Sequence, residues 1–460
     1  MRSPTSTLRY GFANPGRALR LAAGVLLVVL AACQAPTVPK PLPPTQAAPA
    51  PLMPTLEATP PPPAVETIDT RVTEQQLDGP LKVGLLLPLS GRNAALGEAM
   101  LNAAQLALFD IAGDRFALVV RDTGGTPEGA RAAAQAVLDE GVRLILGPVF
   151  ATSVEAMAGM ARDAGVRVIS FSNDRSIAGD GVFIMGLAPR PQIERLVDFA
   201  KAQGLGRFAV LAPSSPYGRA VVAALQEAVA RTGVELSRVV TYAPGTADLS
   251  QEVRILADYE GRHQALLAQR RVLAARGDEA AKLALKRLDG LETLGAPDFD
   301  AVILPEGGKR IQAIAPLLAY FDIDPLEVRF LGTSLWEDPS LGTEPALAGG
   351  WFTAPPPELW QAFRGRYSAT FAQEPPRVAS LAYDAAALAA VLARRVRDSG
   401  TPALIDETAL TQPSGFSGVD GVFRFLPDGD IERRLAVLEL QRDGFKILDE
   451  APRGFQEAQF

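Results

Sequence analysis

Leu81–Phe109 reads LKVGLLLPLSGRNAALGEAMLNAAQLALF. Its unbroken apolar run, Val83–Leu87, is too short to cross a membrane. A run of this length bounded by turn residues predicts a strand buried on both faces, as inside a parallel sheet. Pro88 and Ser90-Gly91 end it. Apolar residues then return at Leu96, Ala99, Met100, Ala103 and Ala107, the spacing of one helix face. Strand, turn and helix make half of a βα unit. Ligands of open α/β sheets bind outside the carboxyl ends of strands. The turn at Leu89–Asn93, which contains Ser90, is therefore the first candidate piece of a binding cleft.

The pattern continues downstream. Phe116–Val120, Val142–Val149 and Val166–Phe171 read as strands, each leading into a polar turn: Arg121–Gly125, Phe150–Ser153 and Ser172–Asp174. Strand–helix alternation of this kind predicts a parallel sheet with right-handed crossovers. Near Pro189 the pattern restarts. A helix over Pro191–Gln203, a strand at Phe208–Leu211, the turn Ser214–Gly218 and a helix to Gly233 come first. Strands near Val234–Tyr242, at Phe299–Leu304 and at Val328–Leu331 follow, with helices at Arg310–Tyr320 and Arg377–Val396. Phe416–Gly421 and Phe423–Phe425 read as a Gly-punctuated strand pair, with Pro427-Asp428-Gly429 as a turn. Two βα sets predict two lobes with a cleft between them.

Between them, Tyr259 to about Leu294 is helical and basic, with Arg262, Arg270, Arg271, Arg276, Lys282, Lys286 and Arg287. Gly277 divides it, and Ala281, Ala284, Leu285 and Leu288 form an apolar stripe on the second half. A solvated helical hairpin and a docking surface for an acidic partner, through Arg270, Arg271 and Arg276, are both compatible with this pattern.

At the amino end, Arg2, Arg9, Arg17 and Arg20 precede an apolar stretch and Leu30-Ala31-Ala32-Cys33, the layout of a secretory signal. Cys33 is the only cysteine of the chain and has no disulfide partner. Leu-Ala-Ala-Cys resembles the bacterial lipoprotein signal, which implies lipidation of Cys33 and a membrane anchor. Gln34 after the cysteine suggests the periplasmic side of the outer membrane. From Gln34 to about Ala64 there are twelve prolines and no apolar period, the composition of a semi-rigid spacer. At about 3.1 Å per residue it would reach roughly 90 Å.

Composition excludes several functions. Arg and Lys number 45 against 52 acids, for a net charge of −7, so no nucleic-acid partner is expected. A single His and a single Cys leave little room for a metal centre, a Cys–His nucleophile or His-based acid–base chemistry. Neither a cofactor nor an enzyme activity is expected.

Val83–Gly91, Gly147-Pro148-Val149, Ile169-Ser170, Tyr217-Gly218, Tyr383-Asp384-Ala385 and Gly418–Gly429, in this order, resemble type I periplasmic binding proteins of the Leu/Ile/Val-receptor kind. With its Cys33 signal, spacer and basic insert, the whole chain looks like the LppC-type lipoproteins that activate penicillin-binding proteins. The resemblance implies an α/β fold of two parallel-sheet lobes behind a Pro-rich tether, with lobes joined by three crossing strands. It divides the chain into a signal (1–32), a tether (33–79), the first lobe (80–188), the second lobe (189–330, insert 259–294), a return to the first (331–412) and terminal strands in the second (413–460).

The amino-acid receptors also imply a site. Thr152, Ser153, Ser172 and Asn173 would cradle a carboxylate on the first lobe, Tyr217 would cover the ligand, and Glu306 would pair with its ammonium. Phe150-Ala151 departs from the hydroxyl-rich loop of that pattern. Two functions are compatible: a periplasmic lipoprotein that binds and activates a bifunctional penicillin-binding protein in peptidoglycan synthesis, which the tether and insert favour, or the lipid-tethered receptor of an ABC importer for an amino acid or amide, which Glu306 and Tyr217 favour.

Overall fold

The computed structural model describes residues 81–112, 116–398 and 405–455. The signal segment, the spacer and Cys33 lie outside the described residues.

Strands β1 (Leu81–Leu87), β2 (Phe116–Asp122), β3 (Leu144–Leu146), β4 (Arg167–Ser170) and β5 (Val182–Ile184) form one parallel sheet in the order β2-β1-β3-β4-β5. Interior strand β1 has Val83 and Leu85–Leu87 fully buried, because helices cover both faces. The helix Ala94–Ala107 packs on Ala379–Asp398, a segment nearly 300 residues away. Alanines line both faces (Ala99, Ala103 and Ala107 against Ala382, Ala386 and Ala389), so the two helices approach closely.

The second sheet contains β6 (Arg207–Pro213), β7 (Glu235–Tyr242), β8 (Ala301–Ile303), β9 (Arg329–Gly332) and β10 (Trp351–Ala354), all parallel. A three-stranded antiparallel sheet follows: β11 (Phe416–Gly418), β12 (Gly421–Phe425) and β13 (Ile431–Arg433). Then β14 (Ala436–Gln441) pairs antiparallel with β10, and β15 (Gly444–Asp449) with β14. The order of the large sheet is β15-β14-β10-β9-β8-β6-β7.

Lobe boundaries differ from the sequence reading. The second lobe does not end at residue 330, because β9 and β10 extend its sheet and bury Phe330, Trp336 and Phe352 in its core. The chain returns to the first lobe at Pro355-Pro356, where the helix Pro357–Phe371 begins. Nor do all the terminal strands go back to the second lobe. Phe423, Phe425 and Ile431 pack into the first lobe's core, and only β14 and β15 join the second sheet. The chain therefore crosses at Met185–Ala188, at Pro355-Pro356 and at Arg434-Leu435.

Two crossings leave from the carboxyl ends of β5 and β10, so the carboxyl ends of both sheets face the same cleft. Glycines fix the approach of helices there. A Cβ on Gly97 would overlap Pro88 O, and one on Gly218 would overlap Pro213 O. In each lobe the first helical turn thus lies directly against the exit of its strand.

The insert is a helical hairpin, Tyr259–Arg276 and Glu279–Leu288, divided by Gly277 in the left-handed region at φ 65°. It buries only Leu266, Leu273 and Ala281. Arg270 Nη2 donates to Leu288 O at 2.6 Å and Leu291 O at 3.1 Å, closing carbonyls at the end of the second helix. Arg271 donates to Leu267 O, and Arg276 pairs with Asp278. The three arginines read as a docking set each serve the hairpin's own backbone or charge. Among the described residues no helix is long and apolar enough to cross a membrane.

Candidate functional site

On the first lobe, three loops at the strand ends meet. Asp122, at the end of β2, accepts through Oδ1 from the N–H groups of Leu89 (2.8 Å), Ser90 (3.2 Å) and Gly124 (2.7 Å). Burial raises its carboxyl, but the Ser90 hydroxyl and these N–H groups outweigh that and hold it below the usual range. Ser90 is exposed at the cleft and tied to Asp122. Sequence reasoning left Asp122 out of the site; its place at a strand end, opposite the Ser90 turn, was the available signal.

The helix Ala151–Asp163 begins beside them. Its N-cap is Phe150, which supplies no side-chain acceptor. Neither Thr152 nor Ser153 caps the helix, because both lie inside its first turn. Thr152 is exposed. Ser153 is fully buried, and its hydroxyl has no hydrogen-bond partner. A helix start with free N–H groups and an unused hydroxyl is suited to an anion. Ser172 is mostly committed: its N–H donates to Ser170 Oγ, and its hydroxyl accepts from Asp174 N. Asn173 next to it is exposed.

On the second lobe, Glu306 follows β8. Tyr242 donates to Glu306 Oε1 at 2.6 Å, and the Trp336 indole donates to Glu306 O at 3.0 Å. Burial and then the Glu306 carboxylate raise the Tyr242 phenol, so it stays a donor. Arg310 lies over the Tyr242 ring at 5.5 Å. Trp336 is buried against Gly332 and Gly350, a core residue as its neighbours require. Trp351 and Trp360 are partly buried, under Arg329 and Arg377 respectively.

Tyr217 is not free to swing over the cleft. Its hydroxyl donates to the buried Thr333 Oγ1 at 2.9 Å, and burial pushes the phenol up to about 12. Neighbouring Ser334 N donates to Gln192 Oε1, while Gln192 Nε2 donates to Leu187 O and Ala188 O in the first crossing. Tyr217 therefore belongs to a hydrogen-bonded strut at the base of the lobes.

The candidate residues thus divide between the lobes: Ser90, Asp122, Thr152, Ser153 and Asn173 at strand and helix ends of one, Glu306 with Tyr242 after β8 of the other. Arg270, Arg271 and Arg276 lie outside both sets. Among the described residues no group of three or more His, Cys, Asp or Glu could hold a metal.

A family model described as periplasmic binding protein matches residues 80–268. A Leu/Ile/Val-binding protein of Rhizobium johnstonii is 29% identical over 96 residues, 20% of this chain and 26% of that protein. An uncharacterized protein of Rickettsia prowazekii is 21% identical over 178 residues, 39% of this chain and 47% of that one. The chain thus spans about half the length of one curated relative and about a quarter of the other. A solved ABC transporter substrate-binding protein from Sphaerobacter thermophilus matches with a TM-score of 0.60 at 19% identity, covering 81% of this chain and 97% of that one.

The chain has the type I periplasmic-binding-protein fold, with two parallel-sheet lobes. By their names, the Rhizobium protein binds Leu, Ile or Val and the Sphaerobacter protein is a substrate-binding protein of an ABC transporter. This overturns the expectation of a penicillin-binding-protein activator in peptidoglycan synthesis: the matches with a described role are a Leu/Ile/Val-binding protein and an ABC transporter substrate-binding protein, and the basic insert that favoured the activator is bonded to itself.

Proposed function

We propose that this chain is the substrate-binding receptor of an ABC importer for an amino acid or a closely related amide, its ligand held between the lobes. One observation carries the reading: the uncapped start of Ala151–Asp163, with the unpartnered Ser153 hydroxyl, lies on the lobe opposite Glu306. An anion site across from a carboxylate suits a zwitterion, whose carboxylate would meet helix N–H groups and whose ammonium would meet Glu306. The Leu/Ile/Val-binding relative and the ABC transporter neighbour support the same class. Ser90, Thr152, Ser153 and Asn173 are the proposed first-lobe contacts, with Glu306 opposite. Ser172 and Tyr217 shape the cleft from behind.

Cys33 carries the proposed lipid anchor, with the Pro-rich spacer holding the receptor off the membrane on its periplasmic side. Fractionation of the parent and of Cys33→Ser tests the anchor and shows which membrane holds it. The ligand is tested by calorimetry and thermal shift against the proteinogenic amino acids and their amides. One group should bind and raise the unfolding temperature, since a ligand at 100 times its Kd adds about 2.7 kcal/mol. Absence of binding across the whole panel refutes the reading.

A further inference from the structure

The far end of the second lobe, away from the cleft, carries features that ligand capture does not use. A groove of about 860 Å3 opens at the amino ends of β8 and β9. Glu292, Asp322, Asp324 and Glu327 contribute four carboxylates to its lining, against the single cation Arg262. That cation is already occupied by the carbonyls of Ala257, Gly295 and Asp322. The rim is apolar: Leu326 is 91% exposed and Leu291 45%, with Tyr320 at 77% in the neighbouring helix.

The adjacent hairpin has the opposite character. On its second helix Leu283 is 59% exposed and shares an outer face with Lys286 and Arg287, which form no ion pair among the described residues. Val272, on the first helix, is 58% exposed. Leu291 and Leu326 line one groove together, and contiguous exposed apolar surface marks interaction sites where single exposed residues do not. Here an acidic groove with an apolar rim and a basic helix with an apolar face sit side by side on one molecule.

We propose that the chain self-associates through this end, the helix Glu279–Leu288 of each copy lying in the groove of the other. A ten-residue helix is about 15 Å long. Within one copy, hairpin and groove are held as neighbours by the Arg270 bonds to Leu288 and Leu291, so the hairpin does not fold into its own groove. A two-fold axis supplies both contacts at once, because a self-complementary surface needs the same two patches on each subunit. Opposite charges set the register and leaucine contacts at Leu283 and Leu326 exclude water between them. The cleft stays open at the other end of each copy.

The test uses the intact chain. Differently tagged Leu283→Cys and Leu326→Cys copies are co-expressed and oxidised, with the parent as control for Cys33. A mixed disulfide of twice the chain mass, absent from the parent, is the expected result. Sedimentation should show a dimer that salt weakens, because the charged contacts are exposed to screening. Arg287→Glu should loosen the dimer by about tenfold or more, as should Glu327→Arg, and mixing the two variants should restore it, since both contacts of the mixed dimer are then oppositely charged. A chain that stays monomeric at every concentration with no cross-link overturns the proposal. So does a monomer that binds phosphatidylglycerol vesicles through Lys286 and Arg287, which would assign the hairpin to a lipid surface.

Discussion

Arg377 of the first lobe donates through Nε to Glu337 Oε2 of the second at 2.7 Å, and through Nη1 to Asp420 Oδ1 at 2.6 Å. Glu337 is almost fully buried and Asp420 entirely so. The guanidinium also stacks on Trp360 at 4.6 Å. Outside the crossing segments this ion pair ties one lobe to the other, and it lies one residue from Trp336, which holds the Glu306 backbone. Burial pushes the Glu337 carboxyl up, against the pull of Arg377, so the carboxylate depends on that arginine.

Removing either partner tests the tie. Arg377→Ala strands two buried carboxylates and should destabilise the fold by about 3–5 kcal/mol. Glu337→Gln leaves Arg377 its bond to Asp420, so the loss should be about 1–3 kcal/mol. Arg377→Lys should not restore the parent, because a single ammonium cannot serve Glu337, Ser380 and Asp420 in one plane. Urea unfolding ranks the variants. Unfolding midpoints equal to the parent's would remove the tie from the account.

Ser153→Ala separates ligand contact from folding. A buried hydroxyl without a partner contributes nothing that Ala lacks, so stability should stay level or rise. Ligand affinity should nevertheless fall, by about 1 kcal/mol for a neutral hydrogen bond. Unfolding and calorimetry on one preparation decide it. Lost stability with unchanged affinity would make Ser153 a core residue.

Glu306 is the stricter test of the zwitterion. Glu306→Ala removes the only carboxylate proposed for the ammonium and should cost about 2–5 kcal/mol of affinity. Tyr242→Phe should cost much less, because it removes one donor and leaves the carboxylate in place. Calorimetry with the best ligand of the panel measures both. Tight binding that ignores Glu306→Ala would move the ammonium elsewhere in the cleft.

Much of this architecture was legible where the cause is local. Val83–Leu87 shows its burial on two faces as an unbroken apolar run, and Gly277 marks the turn of the hairpin by its left-handed backbone. Trp351–Ala354 was not legible: four residues carry no period, and their strand exists because β9 on one side and β14 on the other supply partners about 20 and 85 residues away. The lobe exchange at Pro355 follows from that pairing and was misplaced for the same reason. In the site, Ser90, Ser153 and Glu306 stood at strand ends that the pattern revealed. Asp122 did not stand out, because its role comes from N–H groups of two separate loops. Tyr217 looked like a free aromatic until Thr333, more than a hundred residues later, took its hydroxyl.

Asp384 gives the last prediction, a dependence on pH. It is entirely buried on the helix Ala379–Asp398 and accepts from Val419 N at 2.6 Å and Asp420 N at 3.1 Å. Arg433, also buried, lies close enough to oppose its protonation and donates to Asp420 O and, across the first crossing, to Met185 O. Burial, followed by the Asp420 charge, pushes the Asp384 carboxyl up to about 7, with the two N–H donors and Arg433 pulling the other way. In the unfolded chain an aspartate titrates near 3.9. Between those values the folded chain holds a proton that the unfolded chain has lost. This contribution to stability is therefore full below pH about 4, shrinks by up to about 1.4 kcal/mol per pH unit as pH rises toward 7, and levels off above it. Carboxylates held low, Asp122 and Asp300, titrate below that window and act with the opposite sign. Urea unfolding of the parent and of Asp384→Asn at half-unit steps from pH 5 to 8 isolates the effect. The parent should lose stability relative to the variant up to about pH 7, and the difference should then become constant. A difference that is flat from pH 5 would mean that Asp384 stays ionised in its pocket, held by Arg433 and the two N–H groups despite its burial.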